Sequence, residues 1–174
     1  VWVVGKREGY TIREVHVNKE TYQEVLLELA FSISGEFDLR RLLHHCLPLF
    51  QGKLNCMLAA VVKTSTGSVA TEHVVPQAVG ASTEYEDIVA RLVNDIPPDG
   101  RGELPALKTD RAVYYGFPLD GFGWLVLGRE RPFEACFLQE FRFVCGMLER
   151  ACLACMEVER RAAAERPVGE TDRK

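Results

Sequence analysis

Two different spacings of apolar residues divide the first fifty residues of the chain. Over residues 1–17, VWVVGKREGYTIREVHV, apolar and polar residues alternate, which predicts a β-hairpin. From Asn18 onward apolar residues recur at intervals of three and four, which predicts a helix that ends near Gly35. A second helix is expected to begin after the capping residue Asp38, and Pro48 inside it should kink it or end it early.

The rest of the chain predicts two more hairpins and two more helices. The four predicted strands comprise residues 56–63, 68–75, 112–119 and 123–128. A helix capped by Ser82 is expected between the two hairpins, and a long helix is expected over residues 132–164. The two closing strands lack a clean alternation of apolar and polar residues, which indicates that both of their faces are covered.

This order of elements predicts an α+β domain in which helices cover an antiparallel sheet. We assign residues 18–164 to that domain and residues 1–17 to an N-terminal hairpin or extension. Residues 165–174 are mostly charged and include Pro167 and Gly169, so we expect a disordered tail.

Composition and charge argue against several classes of partner. The formal net charge is −4, and the sequence has no basic cluster with interleaved aromatic residues, so we expect no binding of nucleic acid. No apolar run approaches the roughly 18 residues of a membrane span, so we expect no direct membrane contact. The six cysteines lie in apolar periodic segments without a secretory leader, which predicts mostly buried thiols in the reducing cytoplasm.

Two short motifs contain residue types that bind metals. His44 and His45 precede Cys46, but neighbouring helical residues point about 100° apart, so we expect one exposed and one packed histidine instead of a shared ion. Cys152 and Cys155 form a CxxC in the middle of a helix, without the second ligand pair that a zinc site requires. We expect packed thiols there, with a redox role or an inter-subunit disulfide as the alternative, and no metal site.

Three stretches of the chain resemble the GAF domain, the small-molecule sensor module of signalling proteins. Residues 27–47, LELAFSISGEFDLRRLLHHCL, are similar to its opening pair of helices, and residues 56–67 to its first strand and Gly turn. Residues 117–133, FPLDGFGWLVLGRERPF, are similar to its closing hairpin and the entry to its final helix. The resemblance implies a central antiparallel sheet of about six strands, with the terminal helices on one face and a ligand pocket on the other, beneath the middle segment.

By this resemblance the chain would be a cytoplasmic input module of a sensor protein such as a histidine kinase, although the sequence identifies no cofactor or ligand. The candidates for lining the pocket are His73, Tyr85, Arg111, Tyr114 and Trp124, each of which could equally be core or surface. One alternative is a ligand-free dimerisation module of the same fold. Another is a redox enzyme similar to the free methionine sulfoxide reductases, but these place a reactive cysteine in the middle segment, and residues 64–135 contain none.

The last helix has a wider apolar surface than one packing contact requires. Its apolar residues form two adjoining heptad-like stripes, and Leu27 and Phe31 widen the first helix in the same way. One stripe can pack on the sheet, but the other would leave a large apolar patch exposed. We therefore expect a parallel homodimer in which the first and last helices of two copies form a four-helix bundle. The expected interface residues are Leu27, Phe31, Phe141, Val144, Leu148, Cys152 and Cys155.

Overall fold

The computed structural model describes residues 22–65, 68–94 and 104–165. The predicted hairpin of residues 1–17 and residues 166–174 of the predicted tail lie outside the described residues. The described elements are helix α1 (22–32), helix α2 (Leu39–Lys53), strands β1 (Leu58–Ser65) and β2 (Ser68–Val75), a 3₁₀ turn (Gln77–Ala81), helix α3 (Thr83–Asn94), strands β3 (Ala106–Lys108), β4 (Val113–Leu119) and β5 (Gly123–Arg129), and helix α4 (Ala135–Ala164).

These elements confirm the two predicted hairpins and the helix between them. The short strand β3 and the 3₁₀ turn are absent from the prediction, because elements of three and five residues are too short to show a period. Helix α4 begins at Ala135, three residues later than Pro132, because the backbone of Glu134 is still extended.

Helix α2 begins as predicted but does not stop at its proline. The Asp38 side chain accepts a hydrogen bond from the backbone N–H of Arg41 at 2.8 Å and so caps the helix. The helix continues through Pro48 to Lys53, so the prediction of an early end is wrong. Pro48 is exposed, while Leu47 beside it is fully buried, so tertiary packing holds the helix together across the hydrogen bond that proline cannot donate.

The five described strands form one antiparallel sheet in the order β2-β1-β5-β4-β3. This count is close to the six expected, and β5 of the closing hairpin lies at the centre. Successive strand residues point to opposite faces. On one face Val61 and Phe117 pack among residues of α1, α2 and α4. On the other face Ala60 and Val126 pack against α3.

Helices α1 and α4 lie side by side and run in the same direction. The Tyr22 and Phe137 rings are 5.3 Å apart, centroid to centroid. Further along, the Cys155 thiol lies 3.7 Å from the carbonyl oxygen of Glu36, just after α1. Because both contacts advance together along the two segments, the helices are parallel. The predicted packing of the terminal helices on one sheet face is therefore confirmed.

The structure corrects the expected dimer interface. Five of its seven residues are at most 1% exposed in the single chain: Phe141, Val144, Leu148, Cys152 and Cys155. They belong to the core that α1, α2 and α4 form with the sheet, so they cannot also contact a second copy. Leu27 and Phe31 do lie on the surface, with exposed fractions of 58% and 74%.

Candidate functional site

Three of the five predicted ligand-binding residues meet on the sheet face beneath α3. Tyr85 comes from α3, Tyr114 from β4 and Trp124 from β5. The tyrosines are buried, and Trp124 is half-buried at the edge of the cluster. The Tyr85 hydroxyl lies 2.9 Å from Oγ1 of Thr71 and so joins α3 to the outer strand β2. Burial raises the pKa of both tyrosines, so both hydroxyls stay protonated at neutral pH.

Two glycines lie beside these aromatic rings, and at Gly128 the absence of a Cβ gives the Tyr114 ring its space. A Cβ on Gly128 would stand 2.6 Å from Cδ1 of Tyr114, its partner across the strands. A Cβ on Gly116 would meet the Trp124 ring at 3.5 Å. The space expected for a pocket beneath the middle segment is thus occupied by the chain's own side chains over the described residues.

The other two predicted ligand residues lie elsewhere. His73 on β2 faces α2, where its ring is 5.6 Å from that of His44. Burial lowers the pKa of His73, and the neighbouring His44 and Arg40 lower it further. Arg111 is exposed in the turn before β4. Neither residue joins the tyrosine cluster.

The histidine pair of α2 differs from its prediction. His44 and His45 are both exposed, so the expected packed histidine is wrong. An open groove of about 590 Å³ runs along this outer side of α2, lined by Arg40, Arg41, His44, His45, Pro48 and Leu49.

The cysteines are mostly packed thiols, as predicted. All six are free, and five are buried, Cys136 being exposed. Burial raises the pKa of Cys46 to about 12 and also raises those of Cys152 and Cys155. The CxxC thiols are therefore protonated and poorly nucleophilic. Among residues 22–65, 68–94 and 104–165, no three His, Cys, Asp or Glu side chains are grouped so that they could hold a metal ion.

A cavity of about 460 Å³ lies at one end of the central strands. It is lined by Asn55, Cys56, Met57, Arg129, Glu130 and Arg131. Sequence reasoning missed this site, although a usable signal exists. Every second residue of β5 points to the sheet face that α1, α2 and α4 cover. Leu125 and Leu127 are buried in the core on that face, and Arg129 is the next residue in the series. A charged side chain at a core-facing position needs an ion-pair or hydrogen-bond partner, or it lines a binding site.

Helix α4 carries a second apolar strip, which is exposed at Phe143, Ala154 and Val158 and partly buried against the core at Met147 and Ala151. Phe143 and Val158 are 67% and 45% exposed, and the helical period places Met147, Ala151 and Ala154 between them on the same side. We call these five residues the outer strip of α4. Leu27 and Phe31 are the corresponding exposed residues of α1.

The C-terminal end of α4 extends beyond the core of the domain. Cys155 is its last fully buried residue, and residues 156–164 continue for about 13 Å at 1.5 Å per residue. On this segment Glu157 pairs with Arg160 at 2.8 Å and with Arg161 at 2.7 Å. The end of the helix is therefore a solvated extension.

Comparison with known proteins identifies the fold. No protein-family model matches the chain, and no curated protein matches its sequence significantly. A solved structure does match: the GAF domain of a predicted sensor histidine kinase from Pseudomonas syringae pv. tomato, with a TM-score of 0.61 and 13% sequence identity. The match covers 88% of this chain and 99% of that domain. No helix in the described part of the chain is long and apolar enough to cross a membrane. With its five-stranded sheet between α3 and the parallel terminal helices, the chain has a GAF-like fold.

Proposed function

We propose that this chain is a signal-relay domain of the GAF type within a larger cytoplasmic signalling protein, and that it acts as a homodimer through α1 and α4. The observation that carries this proposal is the outer strip of α4, together with Leu27 and Phe31 of the parallel helix α1. Exposed apolar strips of this kind mark protein interaction sites, because water contact with them is unfavourable.

A second copy of the chain is the partner that suits this surface. In a two-fold dimer whose axis runs along the helices, each strip meets the same strip of the other copy. Two parallel helices from each copy then form a four-helix bundle, and Phe143 of one copy packs near Phe143 of the other. Both α4 helices leave the bundle at the same end, which is the arrangement a relay requires.

The relay follows from the exit of α4. A shift at the bundle moves residues 156–164 of both copies, and any domain attached after them moves with them. In this proposal catalysis belongs to such an output domain, for example a histidine kinase like the protein that contains the similar GAF domain. The filled face beneath α3 supports a domain that transmits a signal without a small molecule at that position.

The test is a change of oligomeric state on substituting one exposed residue. Phe143→Glu puts a charge at the centre of the proposed interface but leaves the core untouched, since the side chain is 67% exposed. We expect the wild type to be a dimer at tens of micromolar by light scattering coupled to size exclusion, and Phe143→Glu to be a folded monomer.

A matched control separates the interface from the effect of added charge. Ala90→Glu makes the same change of charge at an exposed position of α3, on the opposite face of the sheet. We expect this variant to remain a dimer. A wild type that is monomeric at these concentrations, or a Phe143→Glu variant that dimerises as well as Ala90→Glu, would contradict the proposal.

A further inference from the structure

We propose that the cavity at the end of β1 and β5 is a binding site for a small molecule with an oxyanion group, a carboxylate or a phosphate, held by Arg129 and Arg131. The cavity is separate from the face beneath α3 and from the outer strip of α4. Its volume of about 460 Å³ lies within the range of small-molecule sites in proteins.

The central strands fix the walls of this cavity. Leu58 of β1 pairs with Gly128 of β5, and just before β1 the backbone N–H of Met57 donates to the Gly128 carbonyl oxygen at 2.8 Å. The turn before Met57 includes Asn55 in the left-handed region, with a φ of 50°. Backbone hydrogen bonds of the central strands therefore hold this turn next to the end of β5, so the backbone walls of the site are preformed.

Arg129 is held in place, and its Nε lacks an acceptor within the described residues. Its guanidinium carbon lies 4.4 Å from the centroid of the Phe133 ring, which stacks on Phe137 at 4.7 Å. The backbone N–H of Phe133 donates to the Tyr115 hydroxyl at 3.1 Å. The Nε of Arg129 is buried, and within the described residues it has no hydrogen-bond partner. A buried donor of this kind is costly unless an acceptor enters the site.

No carboxylate of the described chain neutralises the two arginines. The ion pairs there join Lys53 to Glu28, Arg91 to Asp87, and Glu157 to Arg160 and Arg161, and none includes Arg129 or Arg131. Glu130 lines the cavity and is exposed, but it forms no ion pair with either arginine. Burial raises the pKa of Cys56 to about 12, so this thiol is neutral and offers no negative charge.

The composition of the lining indicates the class of ligand. A guanidinium group presents a planar fork of donors that matches the oxygens of a carboxylate or a phosphate. Cys56 and Met57 offer apolar contacts to the carbon part of such a molecule. The Glu130 carboxylate disfavours ligands with several negative charges. The site therefore suits a small organic acid or phosphate ester of low charge.

The experiment is a titration of the ¹⁵N-labelled chain followed by amide chemical shifts. Inorganic phosphate and acetate are added separately, each against sodium chloride at equal ionic strength. We expect saturable shifts in the amides of residues 55–57 and 129–131 with at least one of the two anions and not with chloride. A response to acetate alone points to carboxylates, and a response to phosphate alone points to phosphate esters.

Three variants test whether Arg131 and the neighbouring Glu130 influence the binding as proposed. We expect Arg131→Gln, at an exposed position, to weaken binding about tenfold or more, as for a lost hydrogen bond to a charged group. Glu130→Gln should strengthen binding. Arg91→Gln, on α3 across the sheet, should leave it unchanged. Shifts that chloride reproduces, shifts spread over the surface, or equal affinity in Arg131→Gln and Arg91→Gln would overturn the proposal.

Discussion

Cross-strand register, more than residue type, determines what the aromatic residues of this domain do. Tyr114 and Trp124 were recognised from the sequence as strand aromatics that either line a pocket or fill a core. Which of these holds depends on the residue opposite each ring, and Gly128 stands opposite Tyr114. A single sequence does not reveal this pairing, because register is set by the whole sheet. The choice between a pocket and a filled face therefore required the structure.

Gly128→Ala tests this close packing. The added Cβ would stand 2.6 Å from the buried Tyr114 ring and 3.3 Å from Cβ of Leu58, so the ring must move. We expect the free energy of unfolding to fall by about 1–3 kcal/mol, measured by urea denaturation. Gly146→Ala is the control, because it lies inside α4 with no atom within 4 Å of the added Cβ, and it should stabilise by about 0.5–1 kcal/mol. Equal effects of the two changes on the free energy of unfolding would show that the structure can accommodate a Cβ at position 128.

His73 gives the stability a pH dependence. Its pKa in the folded chain is lowered from 6.5 by burial, by His44 and by Arg40, so the unfolded chain takes up the proton first. Stability should therefore be lost as pH falls below about 6.5, and His73→Gln should reduce that loss. The measurement is the urea midpoint at pH 7.5 and 5.5, with the exposed His45→Gln as the control for removing an imidazole. An unchanged pH dependence in His73→Gln would refute this assignment.

The periodicity of apolar residues predicted helix α4 itself but did not predict which side of the helix is buried. The sequence predicted a long helix with two adjoining apolar stripes, and the structure has that helix at Ala135–Ala164. The prediction then left one of the two stripes for a second copy, and the interface residues that it chose on α4, including Leu148, are buried in the core. The two stripes overlap at Leu148, and only the position of α1, fixed by contacts such as Tyr22 with Phe137, shows which side of the helix faces the core. The exposed Phe143, outside both stripes, was overlooked.

Leu148→Glu and Phe143→Glu should therefore behave differently. Leu148 is fully buried, so a glutamate there places an unpaired charge in the core and should leave the chain unfolded or insoluble. Phe143→Glu should keep the helical circular dichroism of the wild type, with a thermal midpoint within a few degrees of it. A cooperatively folded Leu148→Glu chain would show that α4 is rotated about its axis, so that Leu148 does not face the core.

The domain as a whole separates its surfaces by function. The sheet has one face packed against α3 and the other against α1, α2 and α4, which leaves the outer sides of the helices, the ends of the strands and the largely exposed outer strand β2 for new contacts. Local patterns predicted the α+β class and both hairpins, and the resemblance to the GAF domain implied the packing of the terminal helices. They did not predict the cavity at Arg129, because it joins a turn near Asn55 to the end of β5, which are far apart in the sequence.

The most direct measurement of the proposed relay is a cross-link between two copies at the outer strip of α4. Ala154→Cys is made in a chain whose exposed Cys136 is replaced by serine, and the protein is oxidised at tens of micromolar. A parallel dimer brings the two new thiols close to each other, within the roughly 4.4–6.8 Å between Cα atoms that a disulfide spans. We predict a covalent dimer for Ala154→Cys and almost none for Ala90→Cys, which is also at an exposed position, on α3. Equal or absent cross-linking at both positions would contradict a parallel dimer through α1 and α4.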